Sequence, residues 1–150
     1  MTLKPDDSAI MDHVQAISLK IFGEPASKAN SRRLVRFGNM SRLIKSDKAL
    51  SYSQLFKQQT ADNKHKPIEG DVRVHMTIYY ASRRPDLDES LILDLLQGVA
   101  YLNDRQVKEK HIYWRLDPQE PRTEIYVESM PEVDGKKART RRAVKGEATV

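Results

Sequence analysis

Cysteine is absent from the 150 residues. Disulfides and thiolate metal sites are therefore excluded, and the redox compartment is left open. Long apolar runs are missing as well: none approaches the about 20 residues that a bilayer-spanning helix needs. Met1 to Ala16 carries Asp6, Asp7 and Asp12 and no extended apolar stretch, so no secretory leader is expected there. Met11 is a candidate second start, because the first convincing element follows it. The histidines His13, His65, His75 and His111 lack zinc-ligand spacing. Neither a Ser-His-Asp set nor a Gly-rich phosphate loop is present, and no segment repeats.

What is there suits one ordinary domain. Hydrophobic residues make up 39% and charged residues 31%, enough for one modest core with tails left over. The formal charge is +5, which favours a polyanionic partner without identifying it. Residues 1–14 read as a flexible leader, 15–129 as the folded domain, and 130–150 as a basic disordered tail holding Lys136, Lys137, Arg139, Arg141, Arg142 and Lys145.

Within the domain, Ile17, Leu19 and Ile21 alternate with polar neighbours and predict a strand that ends at Gly23 and Pro25. Residues 26–47 are rich in Lys and Arg and are interrupted by Gly38 and Asn39, which predicts a basic loop. Ser46 or Asp47 can cap a helix whose face holds Ala49, Tyr52, Leu55 and Phe56. Residues 61–70 read as a loop. Val72, Val74, Met76, Ile78 and Tyr80 then alternate with Arg73, His75, Thr77 and Tyr79, the clearest strand pattern in the chain. A second helix is expected from near Asp88 to near Gly98, with Leu91, Ile92, Leu95, Leu96 and Val99 on one side. Residues 107–116 and 122–128 read as two strands of a hairpin around Pro118 and Pro121. The fold class is α/β: a mixed β-sheet with two main helices, in the order β-α-β-α-β-β.

The chemistry gathers where the clear strand hands over to the second helix. Asp86 and Asp88 lie two apart, and in extended chain such residues point the same way. Their mutual repulsion is relieved by a cation, and magnesium takes one or two carboxylates while keeping waters and phosphate oxygens. The plainer alternative is that one of the pair caps the helix and complements its dipole. Asp104 lies beyond that helix, and periodicity does not show whether it returns to the pair.

Residues 83–107, RRPDLDESLILDLLQGVAYLNDRQV, resemble the RusA-like Holliday junction resolvases. Asp86-Leu87-Asp88 matches the Asp-x-Asp pair that opens a helix in that family. Asn103-Asp104-Arg105-Gln106-Val107 matches a later acidic element followed by x-Gln-Val. The strand running into Gly23-Glu24-Pro25 and a basic segment through Arg36 also fits, so the resemblance spans about residues 15–128. It implies a magnesium-dependent endodeoxyribonuclease, with manganese able to substitute, that resolves branched DNA by paired nicking as a homodimer. Asp86, Asp88 and Asp104 would be its catalytic and metal-binding residues, and Glu89 offers a further ligand. Work in DNA recombination and repair, in the cytoplasm of a bacterial or phage-infected cell, is the expected setting.

Three positions depart from the family pattern. Glu89 stands where the family usually has Asn, and Asn103 where it has an acid. The usual lysine one turn after the Asp pair falls at Ile92, or at Ser90 if Asp94 sets the alignment. Arg84, Lys108 and Lys110 are the cations able to replace it. Lys28, Arg32, Arg33, Arg36, Arg42, Arg83 and Arg84 are expected phosphate contacts, which position DNA without reading its sequence. Trp114, Tyr113 and Tyr126 are expected as core and dimer contacts rather than base-stacking platforms.

Loss of the lysine leaves a second function open: a non-catalytic protein on the same fold that binds branched DNA or RNA. A third is a basic structural protein whose acid pair only caps a helix. A restriction-type nuclease ranks lower, since its pattern wants a lysine two residues after a later acid and Asp104 is followed there by Gln106.

Overall fold

The computed structural model describes residues 15–27 and 32–131, with the side chains of Arg32, Arg33 and Leu43 left aside. The expected leader, Lys28 and all of the basic tail past Pro131 lie outside the described residues.

Strand β1 (Ala16–Phe22) is followed by β2 (Arg32–Phe37), β3 (Met40–Lys45), helix α1 (Asp47–Thr60), β4 (Val72–Tyr80), helix α2 (Ser90–Leu95), a 3-10 turn (Asp104–Gln106), β5 (Val107–Leu116) and β6 (Arg122–Ser129). Four strands form one sheet in the order β1-β6-β4-β5. The β1/β6 and β6/β4 pairs are antiparallel and the β4/β5 pair is parallel, so the sheet is mixed, as expected. The parallel pair requires a crossover, and α2 lies within it.

Alternation decides the two faces of the sheet. Val72, Val74, Met76, Ile78 and Tyr80 are all buried, and Ile17, Ile21, Ile125 and Val127 join them. Helices α1 and α2 bring Ala49, Tyr52, Phe56, Leu91 and Ile92 to the same core. Each fully buried aliphatic or aromatic side chain contributes roughly 1.5–3 kcal/mol by leaving water. The opposite face carries Ser18, Lys20, His75, Thr77, Tyr113 and Tyr126 and no described helix covers it.

Four expectations change. The basic loop contains a hairpin: β2 and β3 pair in register, Phe37 opposite Met40, through the two residues Gly38 and Asn39. Gly38 has φ +60° and Asn39 does not have a positive φ, which is the pattern of a II′ hairpin turn. Glycine there makes the turn rather than ending an element. Second, β5 and β6 do not form a hairpin; they flank β4 on its two sides. With one face wholly apolar, β4 takes the centre, and residues 117–121 cross its end, where the Asp117 amide donates to the Tyr80 carbonyl at 2.9 Å. Third, Leu55 is 42% exposed, because the buried stripe of α1 runs through Ala49, Tyr52, Ser53, Phe56 and Thr60. Fourth, α2 covers only six residues, starting after Asp88 and ending before Gly98.

Candidate active site

The segment between β4 and α2 is irregular and largely exposed, yet two aromatic side chains pin its backbone. The Tyr80 hydroxyl donates to the Asp86 carbonyl at 3.2 Å and accepts from the Asp88 amide at 3.3 Å. One oxygen therefore spans both members of the acid pair. The Trp114 indole N–H donates to the Pro85 carbonyl at 3.0 Å. The Trp114 ring stacks on Tyr80, with centroids 5.7 Å apart. Both aromatics thus place their polar ends on partners, as Tyr and Trp that leave water generally require. Burial is the main cause that raises the Tyr80 pKa, and the charges of Asp88, Glu24 and Glu89 raise it further. The hydroxyl stays a proton-bearing donor.

Asp86 leaves its carboxylate at the surface. Asp88 is half-buried, and its Oδ1 accepts from the Ser90 amide at 2.9 Å and from the Ser90 hydroxyl, an Asx-type turn that opens α2. Glu89 pairs with Lys110 across 2.6 Å. Lys110 comes from β5, opposite Val74. Glu24 anchors the start of the segment: its Oε2 accepts from the Ala81 amide at 2.8 Å and its Oε1 lies 3.3 Å from the Lys48 ammonium.

Asp104 lies beyond α2 in the chain. It opens the 3-10 turn that leads into β5, whose first residue pairs with Val72 at the start of β4. The other two acids follow the end of β4. Burial pushes the Tyr101 phenol well above its usual value, and the charges of Asp104 and Asp94 add to the shift. Asp104 and Asp94 thus act on Tyr101, as Asp88, Glu24 and Glu89 act on Tyr80. The structure does not gather Asp86, Asp88 and Asp104 into one cluster. Among the described residues, no three Asp, Glu or His side chains form a group able to hold a metal ion. The Asp86–Asp88 pair still supplies the hard oxygen donors that suit magnesium, which needs only one or two carboxylates from a protein.

Asn103 and Gln106 explain part of the later motif. The Asn103 side chain accepts from the Arg105 amide at 2.9 Å. Gln106 Oε1 accepts from the amides of Leu102 and Asn103, at 2.8 and 2.9 Å. Its Nε2 donates to the carbonyls of Ile68 and Gly70, at 2.8 and 2.7 Å. Asn103 is a cap here, and Gln106 ties the turn to the loop before β4.

The expected cations lie on several elements. Arg83 and Arg84 are exposed in the same segment, and Arg84 and Lys48 line a cleft of about 350 Å³ beside Glu24. Arg36 and Arg42 are exposed on the β2–β3 hairpin, while Arg32 and Arg33 are placed on it by backbone only. Lys108 is exposed beside an irregularity in the β4/β5 register. Trp114 packs against the core, whereas Tyr113 and Tyr126 are 46% and 40% exposed on the open face. Sequence reasoning missed the roles of Tyr80, Trp114, Glu24 and Gln106. Their one available signal was a polar-ended aromatic closing an apolar strand face, at Tyr80.

The family model for the endodeoxyribonuclease RusA matches residues 23–128, more than half of the chain. The chain therefore belongs to the RusA endodeoxyribonuclease family and is an enzyme that hydrolyses DNA phosphodiester bonds. The family acts on Holliday junctions and is in general dependent on a divalent metal. No curated protein matches the sequence.

Proposed function

We propose that this chain resolves four-way DNA junctions by paired nicking, as a homodimer, with the Asp86–Asp88 segment of each subunit as its cleavage centre. The observation that carries this reading is the Tyr80 hydroxyl bound to the backbone of both acids, which presets the stretch of chain that carries the two carboxylates. Asp86 and Asp88 would hold the metal. Asp104 stays in the proposed set on the family pattern, and Glu89, next to Asp88 in sequence, is a further carboxylate. Magnesium, when bound, supplies a Lewis acid and lowers the pKa of a water.

The chain's own residues do the rest. Arg83 and Arg84, next to the pair in sequence, meet the phosphates that flank the scissile bond. Lys110, paired with Glu89, the residue after Asp88, is the cation we assign to the position of the family lysine. It would turn to the phosphate and offset the charge that develops on its oxygens. Pinning by Tyr80 and Trp114 lowers the reorganisation needed when DNA arrives.

The test is cleavage of a labelled four-way junction and a matched linear duplex in magnesium, in manganese and in EDTA. Paired nicks on the junction alone, dependent on metal, are expected. Asp86→Asn and Asp88→Asn should lose cleavage and keep junction binding. Asp104→Asn, in the same assay, tests the third acid by itself. Full cleavage in any one variant removes that residue from the set, and tight binding without nicks in either metal would make the chain a binding protein.

A further inference from the structure

The β2–β3 hairpin forms a sheet of its own, apart from the four-stranded one, and carries an apolar end that the described residues leave in solvent. Phe37 and Met40 are paired across the turn and are 58% and 68% exposed. Only Gly38 and Asn39 lie beyond them, so this pair is the outermost rung with bulk. Behind it, on the same face by register, comes Arg42 opposite Val35; on the other face comes Arg36 opposite Ser41. Both arginines are exposed. Residues 32–46 hold five cations and no acid.

An exposed Phe–Met rung on a short two-stranded element is costly in water. A second copy of the same hairpin is a poor cover, because it would set arginine against arginine. A polyanion with apolar surface between its charges is complementary, and that describes an opened base step. Apolar wedges of Phe or Met that enter between bases, flanked by Arg on phosphates, are an established mode of binding deformed DNA.

We infer that the hairpin is a wedge: the Phe37–Met40 rung enters the branch point of a DNA junction and stacks on an unstacked base step, while Arg36 and Arg42 grip the phosphates on either side. The inference rests on the branched-DNA reading above and adds to it the residues that sense the branch. Stacking of this kind is indifferent to base identity, since every base offers a π-face.

The experiment uses the full chain in EDTA, so the DNA stays intact, and a four-way junction with 2-aminopurine at the branch point. Wild-type protein should raise the fluorescence severalfold on binding. Phe37→Ser/Met40→Ser should abolish the rise and weaken junction binding at least tenfold. The same variant should leave linear-duplex affinity and its salt slope unchanged, because Arg36 and Arg42 remain. Phe37→Trp should restore the signal. Thermal unfolding of the variant should match wild type, as both side chains are exposed. Junction preference without any fluorescence rise, or an unchanged rise in the double variant, overturns the wedge alone. A change in oligomeric state of the variant by sedimentation would also overturn it, in favour of a second copy. Wild-type protein with no preference for junction over duplex would fail the branched-DNA reading itself.

Discussion

Replacing Tyr80 with Phe removes one oxygen and two hydrogen bonds, to the Asp86 carbonyl and from the Asp88 amide. Each is worth roughly 0.5–1.5 kcal/mol net, and each tenfold in rate is about 1.4 kcal/mol. Tyr80→Phe should therefore slow single-turnover cleavage about 10- to 100-fold while junction affinity stays within about twofold. A variant as fast as wild type would mean that the acid pair is held by something else. Lys110 is tested the same way: Lys110→Met should slow cleavage at least about tenfold, and Lys108→Met, without a described partner for its ammonium, should not. Equal effects would detach the cation role from the Glu89 contact. At this scale the acids were legible and their supports were not. Asp86 and Asp88 announce themselves because two charges two residues apart need a reason. Tyr80 reads as the last apolar residue of a strand, and only the fold shows where its hydroxyl ends. Asp104 matched a motif, but its position depends on where β5 begins, which no local pattern encodes.

Among the elements, the 3-10 turn Asp104–Gln106 draws most of its side-chain hydrogen bonds from one residue. Gln106 makes four hydrogen bonds, two to amides in its own turn and two to carbonyls before β4. Gln106→Ala should destabilise the domain by about 2 kcal/mol, read from urea unfolding, since half-buried backbone groups lose partners. Gln106→Glu keeps the two accepted bonds but sets a carboxylate against two carbonyls, and should be no better. A change below about 0.5 kcal/mol in both would show that water replaces the side chain there. β4 was plain in the sequence because its burial alternates without a break. The β2–β3 hairpin was hidden for the opposite reason: Leu34, Phe37 and Met40 are exposed, so no polar face contrasts with a buried one. The placing of β5 and β6 on opposite sides of β4 is a matter of competition for a central neighbour. Closeness in the chain favours a hairpin, and the apolar face of β4 outweighs it.

For the molecule as a whole, the open sheet face couples stability to acid. Arg73 lies between Glu109 and Glu128, with contacts of 3.1 and 3.0 Å. His111 and His75 meet the same two carboxylates at 2.6 and 3.1 Å. The His111 contact, followed by Arg73, holds Glu109 below its ordinary 4.5. Arg73, followed after a partly opposing desolvation by His75, does the same for Glu128. Arg122 holds Asp117 below its ordinary 3.8 at the β5–β6 link. Folded values below unfolded ones mean that the unfolded chain binds protons first as pH falls. The contribution is complete above about pH 4.5 and is lost as pH drops through the lower folded values. It is modest at each site, because these groups face solvent. Urea midpoints should therefore hold steady, on this account, from pH 7 to about pH 5 and then decline. Glu128→Gln should lower the midpoint at neutral pH and flatten the acid decline, and in Glu109→Gln/Glu128→Gln the flattening should be greater. Added salt should weaken the neutral-pH difference between these variants and wild type, since exposed pairs are screened. Acid curves of equal slope in wild type and the double variant would assign the decline to other carboxylates and leave the open face without a part in holding the sheet.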